Sequence, residues 1–227
     1  YFFGLPAVVN FGKLMLPFGE GLNAPPSYED IASVVAGVLE KPESHINKNY
    51  RPTGPKLISG HDVADTFGRI LDRKVSYQDV PTWMFTKAAK ALGFSNFEIA
   101  QIRHYAEELR GGTYAIGAPT DHVELVTGRP PENFEITAQR YINNPELVFP
   151  HFKIGNKLEA AWLMLRTMLT KAPDLDRWES ERSYPLLEKP VLAHDSEEWM
   201  VTAKQKRLAL IGPNHIESSI NKNKIAV

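Results

Sequence analysis

Three serine-led segments that begin helices constrain this chain more than any other feature. Ser27 and Ser59 are each followed three residues later by an aspartate, and Ser95 is followed in the same way by Glu98. In such a capping box, the serine hydroxyl and the acidic side chain bind backbone N–H groups that a helix start leaves unpaired. Apolar residues then recur every three or four positions, which predicts amphipathic helices after each serine.

Short alternating segments between these helices predict strands. The predicted strands lie at residues 13–18, 49–53 and 75–80. A further helix is expected at Thr82–Leu92, and Gly93 would end it because glycine readily adopts the left-handed conformation of a helix end. Two shorter helices are expected after Asp121 and at residues 134–141. Helices that alternate with short strands favour an α/β fold.

Composition excludes several classes of protein. The 227 residues are 43% hydrophobic, include no cysteine and carry a net charge of -1. No basic field favours nucleic acid, and neither disulfides nor thiolate metal sites are available. We expect no metal site, because no histidine pair with a third ligand has a suitable spacing. The absence of cysteine is compatible with a reducing compartment, and we expect a cytoplasmic protein.

The first 19 residues contain a single charged side chain, that of Lys13. They match neither a signal peptide, which has a basic start, nor a membrane-spanning helix, which needs about 20 uninterrupted apolar residues. Gly4, Pro6 and Pro17 interrupt the apolar run. We therefore expect an interior loop and strand, and we expect residues 1–26 to complete a sheet or pocket shared with upstream sequence.

Composition shifts near Pro145, and the second part of the chain is predicted to be mostly helical. Residues 158–169 are apolar on nearly every side, which predicts a helix buried in this chain's core or against another subunit. A last helix is expected from residue 195 or 196 to about 210, followed by a polar tail.

Segments whose letters match catalytic motifs lack the structural context that those motifs require. Residues 19–24 read G-x-G-x-x-A, but Pro25 and Pro26 follow before any helix can begin, so a loop is expected. No tyrosine has a lysine four residues later, so the usual acid of short-chain dehydrogenases is either absent or lies in upstream sequence. Ser59, His61 and Asp62 suggest a hydrolase triad, but neighbours in sequence point apart on a helix, and we interpret Ser59 as a cap.

One string of residues resembles a known family. Asn49-Tyr50-Arg51-Pro52-Thr53-Gly54-Pro55, with Ser59 after it, is similar to the strand, Thr-Gly-Pro turn and helix cap of NmrA-like proteins, which are atypical short-chain dehydrogenases/reductases. Similar segments follow in the family's order at residues 70–77 and 126–131, although Asp72 stands where glycine is usual. Asp30-Ile31-Ala32 resembles the preceding helix, so the resemblance covers about residues 15–142.

The resemblance implies the C-terminal part of a Rossmann-like, NAD(P)-binding α/β fold. Residues 1–145 would be the substrate side of that domain, helix-rich, and residues 146–227 a mostly helical C-terminal extension. The family binds NADP or NAD on an N-terminal doubly wound sheet, and this chain lacks the phosphate-binding motif. The implied partners are the missing dinucleotide-binding half, or another subunit, and a small-molecule substrate.

The function that the resemblance implies is that of an NAD(P)-linked oxidoreductase or a redox-sensing regulator. The alternative is a structural or accessory subunit without catalysis.

The candidate substrate-pocket residues come from three places in the sequence. Apolar and aromatic side chains lie near the start of the chain and at the start of the helix that begins at Thr82. Two polar residues lie on a later helix. The candidate residues are Tyr1, Phe2, Phe3, Phe11, Trp83, Met84, Phe85, His104 and Tyr105. Core packing is the commoner role of such aromatic residues, and a solvated face the commoner position of such polar ones.

Overall fold

A computed structural model describes residues 1–144, 146, 157–183, 196–198, 201 and 205. Within these residues it is a mixed α/β protein, in which nine α-helices and a two-stranded sheet have defined bounds. In chain order the elements are α1 (Leu5–Phe11), β1 (Lys13–Leu16), α2 (Tyr28–Glu40), α3 (Gly60–Ile70), β2 (Ser76–Asp79), α4 (Thr82–Leu92), α5 (Asn96–Arg110), α6 (His122–Thr127), α7 (Phe134–Asn143), α8 (Lys157–Leu169) and α9 (Leu175–Ser180).

The chain divides into two compact units. The described residues within Tyr1–Glu20, Ser59–Gly111 and Ala138–Pro190 form the first unit, and those within Gly21–Ile58, Gly112–Thr137 and Val191–Val227 form the second unit. The domain boundary that the sequence suggests near residue 145 stays a prediction, since residues 145 and 147–156 lie outside the described set.

The sheet of the first unit is parallel. Strand β1 pairs with β2 so that Leu14 lies beside Tyr77 and Leu16 beside Asp79. Leu14 and Leu16 are completely buried. Both strands fall within segments that the sequence predicts as strands. A parallel pair needs a long crossover between its strands, so this sheet agrees with the expected α/β class.

The helix starts that the serines predict are confirmed. The Oγ atoms of Ser27, Ser59 and Ser95 each accept the backbone N–H three residues later, at 3.0 to 3.3 Å. At Ser59 and Ser95 the acidic side chain also accepts the serine's own N–H, which completes the capping box. Helix α4 ends where expected, at Gly93, whose φ of 99° is left-handed.

The loop expected before strand β1 is wrong for residues 2–11, which are helical. Phe2–Gly4 form a 3₁₀ turn, and α1 follows until Gly12 ends it with a φ of 65°. Proline is tolerated in the first turn of a helix, where its missing N–H has no partner to lose. Pro6 occupies that turn, and Leu5 and Val8, three residues apart, are buried together.

The strand expected at residues 49–53 does not form. This segment of the second unit is irregular and is held by side chains. The guanidinium of Arg51 donates to the carbonyl oxygens of Tyr114 and Ile116 at 2.8 and 2.6 Å, and Thr53 Oγ1 accepts the N–H of Thr120 at 2.8 Å. These hydrogen bonds replace the backbone ladder that a strand would have required.

The glycine of the Thr-Gly-Pro turn is required by a close approach of backbone to backbone. Gly54 donates its N–H to the carbonyl of Ala24, and a Cβ at Gly54 would lie 2.6 Å from the carbonyl oxygen of Pro25. Any larger residue would have to push this backbone away. The glycine is therefore explained by packing within the second unit, without a ligand.

The prediction that α8 is buried in this chain's core is wrong for most of its apolar residues. Ala160 is buried, but 63% of Trp162, 46% of Leu165 and 75% of Met168 are exposed. The helix is apolar on opposite sides, and only one side packs on the first unit. The last predicted helix lies mostly outside the described residues. Among the described residues, no helix has the length and apolar character needed to cross a membrane.

Candidate functional site

An apolar cavity of about 130 Å³ lies inside the first unit. It is partly open to solvent and is lined by the start of the chain, strand β1, the residues around α4 and one residue of α8. The lining residues are Phe3, Gly4, Pro6, Ala7, Met15, Val80, Met84, Phe85, Ala88, Ala89, Leu92, Phe94 and Leu163.

Local sequence explains how the aromatic wall of this cavity forms. Gly93 ends α4 in a left-handed conformation, and the N–H of Phe94 bonds back to the carbonyl of Ala89 at 3.1 Å. This reversal brings the Phe94 ring against Phe3, edge to face, with 5.1 Å between the ring centroids. Phe85 is 8% exposed and forms part of the same wall.

The cavity suits an uncharged ring or short alkyl group. None of its lining residues has an ionisable or hydroxyl side chain. A protein cavity of about 150 Å³ lined in the same way holds one benzene molecule. The lining can therefore bind and orient an apolar group and exclude water, but it supplies no proton donor and no charge.

Three of the residues proposed from the sequence as pocket residues line this cavity: Phe3, Met84 and Phe85. Tyr1 instead packs edge to face on Phe18, with 5.7 Å between the ring centroids. Whether the three lining residues contact a substrate stays a prediction.

The other aromatic candidates lie elsewhere. Phe2 packs between Tyr141 and Phe67, with ring centroids 4.4 and 6.0 Å away. Trp83 and Phe11 are 61% and 41% exposed and do not line the cavity. Phe2 thus has the packing role that the sequence analysis left open.

One of the two polar candidates, His104, belongs to an ionic cluster between α5 and α9. His104 Nε2 lies 3.0 Å from Glu179 Oε1, and Arg103 donates to the other oxygen of the same carboxylate at 2.8 Å. Glu179 is only 2% exposed, so these two partners compensate a buried carboxylate. Tyr105 is 39% exposed, and neither it nor His104 lines the cavity.

Several lining residues were missed by the sequence analysis. Val80 and Leu92 lie at the ends of a strand and a helix, where apolar residues usually serve the core. Leu163 lies far along the chain, on the packed side of a helix that is apolar on both sides. No signal in the sequence distinguishes Leu163 from its exposed neighbours. Ala88, one turn after Met84, follows from helical spacing once Met84 is placed.

A second, polar arrangement lies at the carboxyl ends of β1 and β2, where open α/β sheets often bind ligands. Asp79 accepts the N–H of Gly19 at 3.0 Å and pairs with Arg110. Arg110 also donates to the carbonyl of Pro17 at 2.8 Å, and Tyr77 donates to that of Gly19 at 2.9 Å. These bonds hold the first residues of the G-x-G-x-x-A segment as a loop.

Burial, and then the charge of Asp79, raise the pKa of the Tyr77 phenol from 10.0 to about 12. The folded protein therefore favours the neutral phenol. The stability that the neutral Tyr77 phenol contributes is complete below pH 10 and is lost as the pH rises toward 12.

We expect the free energy of unfolding to fall as the pH rises from 10 to 12, and to fall less steeply in Tyr77→Phe. Tyr28, which is 73% exposed, provides the control, since Tyr28→Phe should keep the wild-type slope. Equal slopes in wild type and Tyr77→Phe would contradict this assignment.

The chain resembles reductases in sequence and in structure, although no family model matches it. It is 31% identical to an NAD(P)H azoreductase from Xenophilus azovorans over 128 residues, which are 56% of this chain and 44% of the azoreductase. Among solved structures, an NADPH-dependent quinone oxidoreductase from Escherichia coli superposes with a TM-score of 0.57 at 19% identity, covering 63% of this chain and 51% of that one.

A second solved structure is the triphenylmethane reductase from Citrobacter sp. in complex with NADP(H). It superposes with a TM-score of 0.54 at 18% identity and covers 60% of this chain and 47% of the reductase. This chain therefore spans about half the length of the proteins that it matches, and it shares the fold of the two solved structures over the part that superposes.

Proposed function

We propose that this chain is the substrate-side portion of an NmrA-like, NAD(P)-dependent oxidoreductase. The observation that carries the proposal is the 31% identity to an NAD(P)H azoreductase over 128 residues. The shared fold and the apolar cavity of about 130 Å³ support it. In this role the cavity binds an uncharged part of a small-molecule substrate and keeps water from it.

The dinucleotide would be bound by sequence outside these 227 residues. The glycine turn at Gly19 does not fit a pyrophosphate, because its N–H already donates to the Asp79 carboxylate at 3.0 Å. Helix α2 begins only at Tyr28, so no helix start follows this turn directly. A carboxylate at the turn would also repel phosphate.

We expect the isolated chain of 227 residues to bind NADPH weakly or not at all, because its sequence contains no glycine-rich phosphate-binding motif that a helix follows directly. Titration calorimetry measures this directly. Micromolar affinity would show that these 227 residues contain a nucleotide site, and would overturn the placement of the cofactor outside the chain.

An activity assay tests the proposed function itself. Protein purified from its natural source, at whatever length the cell makes it, is mixed with NADPH and with azo or quinone acceptors. The proposal predicts that the acceptor is consumed together with NADPH. Binding of NADPH without consumption would favour the redox-sensing regulator, and neither binding nor consumption would favour the accessory subunit.

A further inference from the structure

One side chain of α8 contributes to the wall of the cavity in the first unit. All the other lining residues that the structure describes lie between Phe3 and Phe94, whereas Leu163 comes from a helix much later in the chain. The residues on either side of it in sequence are exposed, by 63% at Trp162 and 55% at Met164. Leu163 is therefore the side chain through which this turn of α8 faces the cavity.

Contacts before and after Leu163 hold α8 in place. The helix packs on α1 and α4. Ala160, nearly one turn before Leu163, is 2% exposed, and the carbonyl of Met168 accepts a hydrogen bond from Lys87 of α4 at 3.0 Å. Because the helix is held on both sides of Leu163, this side chain cannot leave the cavity wall without disturbing these contacts.

The volume of the cavity matches one ring and is too small for two. It measures about 130 Å³, and an apolar cavity of about 150 Å³ in another protein holds one benzene molecule. A fused second ring adds four carbon atoms. Since protein interiors are close-packed, that space is gained only when a lining side chain is removed or displaced.

The other walls of the cavity have little to give up. Gly4 and the lining alanines already have the smallest side chains. Phe3 and Phe94 pack edge to face with 5.1 Å between their ring centroids, and Phe85 is 8% exposed, so these rings also hold the core together. Leu163 is a large lining side chain that is only partly buried and lies between exposed neighbours.

We propose that Leu163 is the residue that determines the size of the group the cavity accepts. With leucine at this position, the cavity admits one six-membered ring and excludes two fused rings. This size limit is a binding property that needs no cofactor. Its consequence for an acceptor, that a single-ring part enters and a fused-ring part does not, rests on the proposed function.

The order of affinity of benzene and naphthalene reveals such a limit. In an unrestricted apolar site naphthalene would bind more tightly, because it buries more apolar surface. A cavity that Leu163 closes should reverse this order. Leu163→Ala removes three carbon atoms, which is nearly the space that the second ring requires, and alanine is compatible with a helix.

The test is a titration of the full chain with benzene and with naphthalene, followed by NMR of the methionine methyl groups. Met15 and Met84 both line the cavity, so their saturable shifts give the dissociation constants. We expect wild type to bind naphthalene about tenfold more weakly than benzene, or weaker still. In Leu163→Ala, naphthalene should bind about tenfold more tightly than in wild type, and benzene less tightly because it loses a contact.

Leu165→Ala is the matched control, since it makes the same change on α8 at a residue that is 46% exposed and does not line the cavity. It should leave both dissociation constants unchanged. Leu163→Phe keeps the test decisive if Leu163→Ala fails to fold. It adds bulk to the same wall and should weaken benzene binding by about tenfold while naphthalene stays excluded.

Three results would overturn the proposal: no binding of benzene to wild type, naphthalene bound by wild type as tightly as benzene, or the same ratio of the two affinities in wild type and in the folded Leu163 variants. An equal change in Leu165→Ala would also overturn it, because the effect would then come from loosening α8. The proposed function is tested separately. A confirmed size limit without NADPH-dependent consumption of azo or quinone acceptors would contradict that function alone, and such consumption with an unchanged affinity ratio would contradict only the role of Leu163.

Discussion

Replacing Arg129 with methionine is expected to lower the free energy of unfolding by about 1–3 kcal/mol, because it removes the charged partner of a buried carboxylate, although the Arg129 side chain is itself 45% exposed. Asp30 lies in the second unit with no exposed surface. One of its oxygens accepts from Arg129 at 2.8 Å and the other from the backbone N–H of Glu132 at 2.7 Å. Methionine keeps much of the arginine's apolar stem but removes the charge. Denaturant unfolding of wild type and variant measures the difference.

Arg177→Met is the matched control, since it removes an arginine from an exposed pair. Arg177 pairs with Glu181 one turn later, and their side chains are 76% and 53% exposed. Such pairs contribute about 0–1 kcal/mol. If Arg129→Met cost no more than Arg177→Met, the buried carboxylate would have to be stabilised by its remaining hydrogen bonds alone, and the importance of the Asp30–Arg129 pair would be refuted.

The second large effect is expected from Ala88→Phe, which should abolish the binding of an apolar ring in the cavity. Ala88 lines the cavity and is partly accessible, so a benzyl side chain there occupies the space that a ligand ring would fill. If the proposed function is correct, kcat/KM for the acceptor should fall by about a hundredfold or more, or about 3 kcal/mol. Stability should change little, because the new ring fills an existing cavity.

Ala32→Phe provides the control for this substitution. It introduces the same ring at an exposed position of α2 that does not line the cavity. Thermal unfolding of both variants shows that each is folded. Wild-type turnover by a folded Ala88→Phe would mean that the cavity is only a packing defect and that the substrate binds elsewhere.

The sequence predicts the elements whose determinants are local. Capping boxes at Ser59 and Ser95 act over three residues, and Gly93 ends α4 by its own backbone conformation. These features need no information about the rest of the chain. They therefore predict helix starts and ends correctly.

Elements decided by distant residues were predicted less well. The alternation at residues 49–53 resembles a strand, but Arg51 and Thr53 bond to residues more than 60 positions away. Likewise, a proline interrupts a helix only when it lies beyond the first turn. Pro6 lies in the first turn of α1, and where α1 begins depends on the burial of Leu5 and Val8.

The candidate site could be predicted only in part for the same reason. Phe3, Met84 and Phe85 were proposed because apolar side chains cluster there in sequence. Their convergence with Phe94 and Leu163 depends on how α1, α4 and α8 pack. Sequence periodicity also shows that α8 is apolar, but not which of its two apolar faces packs inward.

The most direct test of the central claim is a titration of methyl-labelled methionine with benzene, followed by NMR. Met15 and Met84 line the cavity, whereas Met164 and Met168 lie on exposed parts of α8. If the cavity is the site for the apolar part of a substrate, the signals of Met15 and Met84 shift saturably, those of Met164 and Met168 do not, and Ala88→Phe abolishes the response. Absence of a saturable shift at Met15 and Met84, or an unchanged response in Ala88→Phe, would contradict the account.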